Sequence, residues 1–260
     1  MLTDDLLVSL FDGQPHALAP LLADWLASSR RFTAFVSANQ TKIRKKLRST
    51  REPEGLRDLQ LELETAYLLL RERSLSLVYE PQLGRASPKR ASAIPVRRLT
   101  GAGRAPDFAV SYTTSLLFMV EVTRLRTERG SAAPDASRSI PAGWASGLTD
   151  MLGSKLGQLA QQTCNLLTVG LDTQPPTADE LRLAMLRIQR GAEGNDPLLI
   201  RRPGFRDRSE FFQRYYRLSG ILMRRAPLQA GDPVILWDNP QARYPLPSRV
   251  RTALARSHAL

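Results

Sequence analysis

Apolar and polar positions change their spacing several times along the chain, and each change marks an element. Between residues 104 and 126 the apolar residues fall in two short runs split by a polar turn. Phe108–Tyr112 reads as one strand, Leu116–Val122 as a second, and Thr113-Thr114-Ser115 as the turn between them. Upstream the period is helical. Leu59, Leu63, Ala66 and Leu70 form one stripe on a helix expected over residues 56–73, with Glu62 at the edge of the stripe and Glu64 well outside it. Residues 75–80 read as a further strand. Downstream, Met151, Leu152, Leu156 and Leu159 mark a helix over residues 148–162, and residues 165–170 a buried strand.

The flanks follow the same logic. Leu6, Leu7, Leu10 and Phe11 make one helical patch, and Leu18, Leu21, Leu22, Trp25 and Leu26 a second, with Gly13-Gln14-Pro15 between them. A further helix starts near Arg31 and runs into the basic stretch from Lys42 to Arg48. That stretch is either a phosphate contact or a solvated basic face. Glu52-Pro53-Glu54-Gly55 is expected to break the chain. After the core, Thr177 and Glu180 have capping-box spacing for a helix over 177–190. Further helices are expected at 207–216 and 247–255, and strands at 218–223 and 233–237, with a turn at 239–242. Two connections are long: residues 81–103, and the Gly/Ala/Ser/Pro-rich stretch 127–145. The first carries Arg85, Lys89, Arg90, Arg97 and Arg98, with Arg104 just beyond it, and no acid. It is expected to be disordered when free and to meet phosphate when bound.

Two carboxylates stand where the strand pattern asks for apolar residues. Asp107 opens its strand behind Pro106, and Glu121 sits inside Phe118–Val122. A charge in such a run costs on the order of several kcal/mol unless it is paired or meets a cation. Adjacent strands can bring both carboxylates to one end of a sheet, which invites a hard divalent cation. Composition narrows the choice of metal. Cys164 is the sole cysteine and His16 and His258 are the only histidines, so neither a disulfide framework nor a thiolate or histidine zinc site is expected. Mg²⁺ or Mn²⁺ remains. The formal net charge of +12 attracts polyanions, nucleic acid first among them, although an arginine-rich surface without a partner has the same composition. No apolar run is long enough to span a membrane and the acidic start does not resemble a signal peptide, so a cytoplasmic protein is expected. Gly101-Ala102-Gly103 lacks the spacing of a nucleotide-binding loop.

Glu62-Leu63, Tyr79-Glu80-Pro81, Pro106-Asp107-Phe108 and Glu121-Val122-Thr123 occur in that order. With the helix and strand that follow, they resemble the PD-(D/E)XK nuclease-like superfamily over about residues 56–171. The resemblance implies an α/β fold: a central mixed sheet flanked by helices, in the order helix–strand–strand–strand–helix–strand. It leaves a helical extension at 1–55 and a mixed one at 172–260. It also implies that Asp107, Glu121 and the Val122 carbonyl hold the metal while Glu62 assists. The superfamily's usual lysine is replaced by Thr123, and Lys155 on the following helix is the expected substitute, with Gln158 one turn away. The implied activity is metal-dependent hydrolysis of nucleic acid, DNA before RNA. The alternative is an inactive binding module that keeps the fold.

Overall fold

The computed structural model describes residues 3–81, 105–113, 116–126, 142–201 and 204–259. The arginine-rich connection containing Arg85, Lys89, Arg90, Arg97, Arg98 and Arg104 lies outside them. The described residues form an α/β fold of ten helices and six strands. In chain order these are α1 (Thr3–Phe11), α2 (Ala19–Ser28), α3 (Arg30–Ala38), α4 (Gln40–Ser49), α5 (Pro53–Arg71), β1 (Leu75–Tyr79), β2 (Phe108–Tyr112), β3 (Leu116–Leu125), α6 (Ala142–Leu156), β4 (Cys164–Leu171), α7 (Ala178–Glu193), α8 (Pro197–Ile200), α9 (Arg208–Tyr215), β5 (Leu218–Arg225), β6 (Val234–Asp238) and α10 (Ser248–His258).

All six strands share one mixed sheet, in sequence order β1 to β6. The first three form an antiparallel meander, β3, β4 and β5 run parallel, and β6 closes the far edge antiparallel. Parallel neighbours need crossovers, and α6 and the α7–α9 segment supply them. Because side chains alternate across a strand, each strand feeds two cores. Phe118, Val120 and Val122 face a core built from α1–α5 and α10, whereas Leu125, Leu167 and Val169 face one built from α6–α9.

Several boundaries differ from the expectation, each for a local reason. Pro53 does not break the chain: it starts α5, where a missing N–H has no cost. At its other end Arg31 receives α5, donating to the carbonyls of Leu70 and Glu72 at 2.7 Å each, and the helix stops at Arg71. The basic helix is separate from α3 because Asn39 interrupts, its amide donating to Phe35 O at 2.8 Å. Likewise α6 covers 142–156 rather than 148–162. Gly157 follows its last residue, and the chain then bends so that Asn165 can hold both the N–H (3.0 Å) and the carbonyl (2.9 Å) of Ala160. The Thr177–Glu180 capping box is present as expected.

Glu64 is the largest departure. The helical wheel puts it outside the buried stripe, yet it is buried, because β5 brings Arg224 against that flank of α5. Arg224 donates to Glu64 Oε2 at 2.6 Å and the Leu228 N–H to Oε1 at 2.9 Å. An amphipathic stripe reports one contact face. α5 is covered on a second face as well, by strand β5 and the turn that follows it.

Candidate metal centre and its lysines

The site forms where β1, β2 and β3 end together. Register pairs Tyr79 with Phe108 and Phe108 with Val120. One step further along, Asp107 falls opposite Glu121. There the chain leaves regular pairing, and the Asp107 carboxylate replaces the missing backbone acceptor: Val122 N–H donates to its Oδ2 at 2.7 Å. The Asp107 carbonyl in turn accepts from Glu80 N–H at 2.8 Å. Glu80 is held in the left-handed region with φ 44°. That is an uncommon conformation for a non-glycine residue, and such residues cluster at functional sites.

Glu121 points to the α6 side of the sheet. Lys155 comes off the last turn of α6 and its Nζ lies 2.6 Å from Glu121 Oε1. The two expected residues therefore meet. Thr123 is half-buried and, by alternation, shares the Glu121 face. Gln158 lies beyond the end of α6, in a turn whose N–H bonds Lys155 O at 2.9 Å. Its amide nitrogen donates to Ser154 O at 3.2 Å. It is therefore not one helical turn along from Lys155, because the helix ends at Leu156.

Glu62 approaches from the other side of the sheet, on α5. Its partner does not stand out in the sequence. Lys46, on α4, sits 2.7 Å from Glu62 Oε1 and 2.8 Å from Glu80 Oε1. Its ammonium also lies 4.9 Å above the centre of the Tyr79 ring. Lys42, one turn earlier, donates to the carbonyl of Tyr79 at 3.0 Å. The signal was present: two lysines four apart on one flank of a helix, and a Tyr-Glu-Pro end to β1. The Tyr79 hydroxyl is buried beside Glu62 and lacks a partner of good geometry among the described residues.

The electrostatics follow from burial and like charge. Burial, then the neighbouring Glu121 carboxylate, pushes the Asp107 carboxyl up from 3.8 to about 6, against the opposing Val122 hydrogen bond and Lys155. Burial also raises Glu62, aided by Asp107 and opposed by Lys46. Lys46 is desolvated, but Glu62 and Glu80 outweigh that and raise it. Burial, followed by Glu62, raises the Tyr79 phenol. So Glu62, Asp107 and Glu121 are close enough to influence one another in series, with Lys46 and Lys155 at the two ends.

No group of three His, Cys, Asp or Glu side chains among the described residues is arranged to hold a metal ion. The donor chemistry of the Asp107–Glu121 pair still fits a small hard cation. Both are carboxylates. Each has one oxygen bonded to a neighbour and a second oxygen available, and Mg²⁺ commonly uses one or two carboxylates and fills its remaining positions with water. Among the described residues no helix is long and apolar enough to cross a membrane. Compared with protein-family models, with curated proteins and with solved structures, the chain gives no significant match.

Proposed function

We propose that the protein is a metal-dependent, nuclease-like phosphodiesterase of the PD-(D/E)XK kind that hydrolyses nucleic acid, DNA before RNA, with Mg²⁺ or Mn²⁺ as cofactor. The observation that carries the reading is the Asp107–Glu121 pair. Two mutually repelling carboxylates, Glu121 buried and Asp107 half-buried, at one end of adjacent strands, with Lys155 2.6 Å from Glu121, are poor structural glue but a suitable cation seat. Asp107, Glu121 and the Val122 carbonyl would hold the cation. When bound, it neutralises charge developing on the phosphate. Lys155 aligns Glu121 and brings a positive charge to the place a phosphate would occupy. Lys46 pairs with Glu62 from the opposite side and opposes the rise that burial and Asp107 impose on its carboxyl.

A second reading, an inactive nucleic-acid-binding or protein-interaction module, is favoured by one feature: Lys155 and Lys46 already neutralise Glu121 and Glu62. Cleavage separates the two. Plasmid, single-stranded DNA and RNA are incubated with Mn²⁺ or with EDTA. The nuclease reading expects Mn²⁺-dependent cleavage that Asp107→Asn abolishes. Cleavage by Asp107→Asn at the parent's rate would show that any activity lies elsewhere.

A further inference from the structure

Helix α4 contains five basic residues and no acid: Lys42, Arg44, Lys45, Lys46 and Arg48. Ile43 and Leu47 bury one side of it. That fixes the direction of the rest, since residues three and four apart share a flank. Lys42 and Lys46 flank the buried stripe on the side of the acid cluster, where Glu80 and Glu62 receive them. Arg44 and Arg48 flank it on the other side. Both converge on a single carboxylate, Asp12, just after the end of α1: Arg44 by one guanidinium contact, Arg48 through Nε at 2.8 Å and a second nitrogen. Lys45 lies between the two flanks, exposed.

A cleft of about 630 Å³ opens here, lined by Arg44, Lys45 and Arg48 with Ser9, Gln40 and Thr41. The cation count exceeds what Asp12 can balance, and the remaining lining groups are hydroxyls and an amide. A structural ion-pair cluster would balance its charge; this one keeps positive charge in reserve around a cavity. A phosphate, with negative charge and several acceptor oxygens, answers it.

We propose that the cleft between α1 and α4 binds a backbone phosphate of a nucleic acid whose chain continues across α4, past Lys45, to the acid cluster. This rests on the nucleic-acid reading above. The spacing suits a polymer rather than a lone anion. Crossing the outer face of α4 covers about one helix diameter, ~10 Å. Along a duplex axis that is about three nucleotides of one strand, at a rise of about 3.4 Å each. A free phosphate in the cleft would gain nothing from the basic residues on the far flank, whereas a strand spans both.

The test measures binding in EDTA, so that cleavage plays no part, using a fluorescein-labelled DNA of about twenty nucleotides, single-stranded and duplex, by anisotropy against salt concentration. Lys45→Gln, which breaks no ion pair among the described residues, is expected to weaken binding roughly eightfold near 0.1 M salt and to flatten the slope of log affinity against log salt by about one. A triple variant, Arg44→Gln with Lys45→Gln and Arg48→Gln, is expected to weaken it further. Asp12→Asn is the decisive partner. It breaks the same two ion pairs as the arginine changes but makes the cleft more positive, and it should bind more tightly than the parent. Weaker binding by Asp12→Asn would show that the arginines act only by holding α1 to α4, and would overturn the proposal. Unchanged affinity and slope for Lys45→Gln and the triple variant would overturn it too. So would loss of binding to vesicles containing anionic lipid with DNA binding intact, which would assign the cleft to a membrane surface. If DNA binding behaves as expected while Mn²⁺-dependent cleavage is absent, the phosphate site stands and the catalytic reading fails.

Discussion

Asp107→Asn should make the metal-free protein more stable, an unusual result for a half-buried polar residue with a hydrogen bond. The carboxyl is raised from 3.8 to about 6 by burial and by Glu121. Between those values the folded state holds the proton more tightly than the unfolded state. The native state is therefore at full advantage below about pH 4 and loses it as pH rises through about 6. The loss is about 3 kcal/mol, since each tenfold change in proton affinity is worth about 1.4 kcal/mol. Asparagine keeps an oxygen to accept from Val122 N–H, but the bond is no longer charge-assisted, which costs about 1 kcal/mol. The net gain is about 2 kcal/mol at neutral pH, or roughly 4 °C in melting temperature for a chain of this length. Glu62 also relaxes when its negative neighbour is removed, in the same direction.

The assay is urea or thermal unfolding of both proteins in EDTA between about pH 3.5 and 8. The difference curve should be near zero or slightly negative in acid and rise in favour of the variant through about pH 4 to 6. His258 titrates in an overlapping window with the opposite sign, but it is present in both proteins and cancels in the difference. A variant less stable than the parent at neutral pH, or a difference that does not vary with pH, would refute the claim that Asp107 is held against its charge.

Lys155→Ala should lower the cleavage rate with much less effect on Mn²⁺ affinity, measured by thermal shift against metal concentration; an equal loss of both would make Lys155 part of the metal seat. Glu64→Gln should destabilise the fold by about 3–5 kcal/mol, because it leaves the Arg224 guanidinium buried without its charge partner, and the double change Glu64→Leu with Arg224→Met should cost clearly less. Urea midpoints of the parent and the two variants decide this, and a double variant as unstable as Glu64→Gln would show that the unpaired Arg224 charge is not the source of the loss. His258 is fully buried, and burial, then Arg224, lowers its pKa to about 3. The unfolded state takes up its proton first, so stability is lost as pH falls from about 6.5 toward 3, by up to about 5 kcal/mol. His258→Asn should flatten that acid limb, and an unchanged limb would place the acid sensitivity elsewhere.

The element order around the acids was legible because strand and helix periods are local properties. Asp107 and Glu121 were legible because a charge inside an apolar run is an anomaly visible without any fold. What the sequence could not reveal is which helix packs on which face. Lys46 is more than fifty residues from either acid, and only the packing of α4 against α5 delivers it to Glu62. Glu64 failed for the same reason. Its ion pair with Arg224 joins residues 160 positions apart, and no wheel of α5 contains that information. Conversely, the early end of α6 was written locally, in Gly157 after Leu156, but the apolar Leu159 one turn on fits the stripe equally well and masked it. Leu159 is buried through the bend that Asn165 holds, not by a helix.

The absence of a lysine at Thr123 is then a matter of charge balance. Glu62, Asp107, Glu121 and Glu80 bring four carboxylates to one end of the sheet, and β3 itself supplies no cation on that face. Arg124, its nearest cation in sequence, points away and is already committed to Asp58 and Asp172 at 3.0 Å each, along with Glu54. Positive charge therefore has to arrive from helices on the two sides of the sheet, Lys155 on one and Lys46 on the other. Among the described residues, that arrangement leaves Asp107 as the one carboxylate of the row without a lysine of its own. It has a backbone N–H instead, and its pKa is displaced toward neutrality, into a range where a hard cation, rather than a proton, can take its place. A site balanced in this way should be sensitive to the order of neutralisation. Removing Lys46 or Lys155 should leave a cation's hold little changed near neutral pH and weaken it in acid, where Asp107 takes up its proton more readily, whereas removing Asp107 should make that pH dependence shallower. Mn²⁺ titrations of the three variants at several pH values measure this, and a cation affinity that falls with acid as steeply in Asp107→Asn as in the parent would sink the idea.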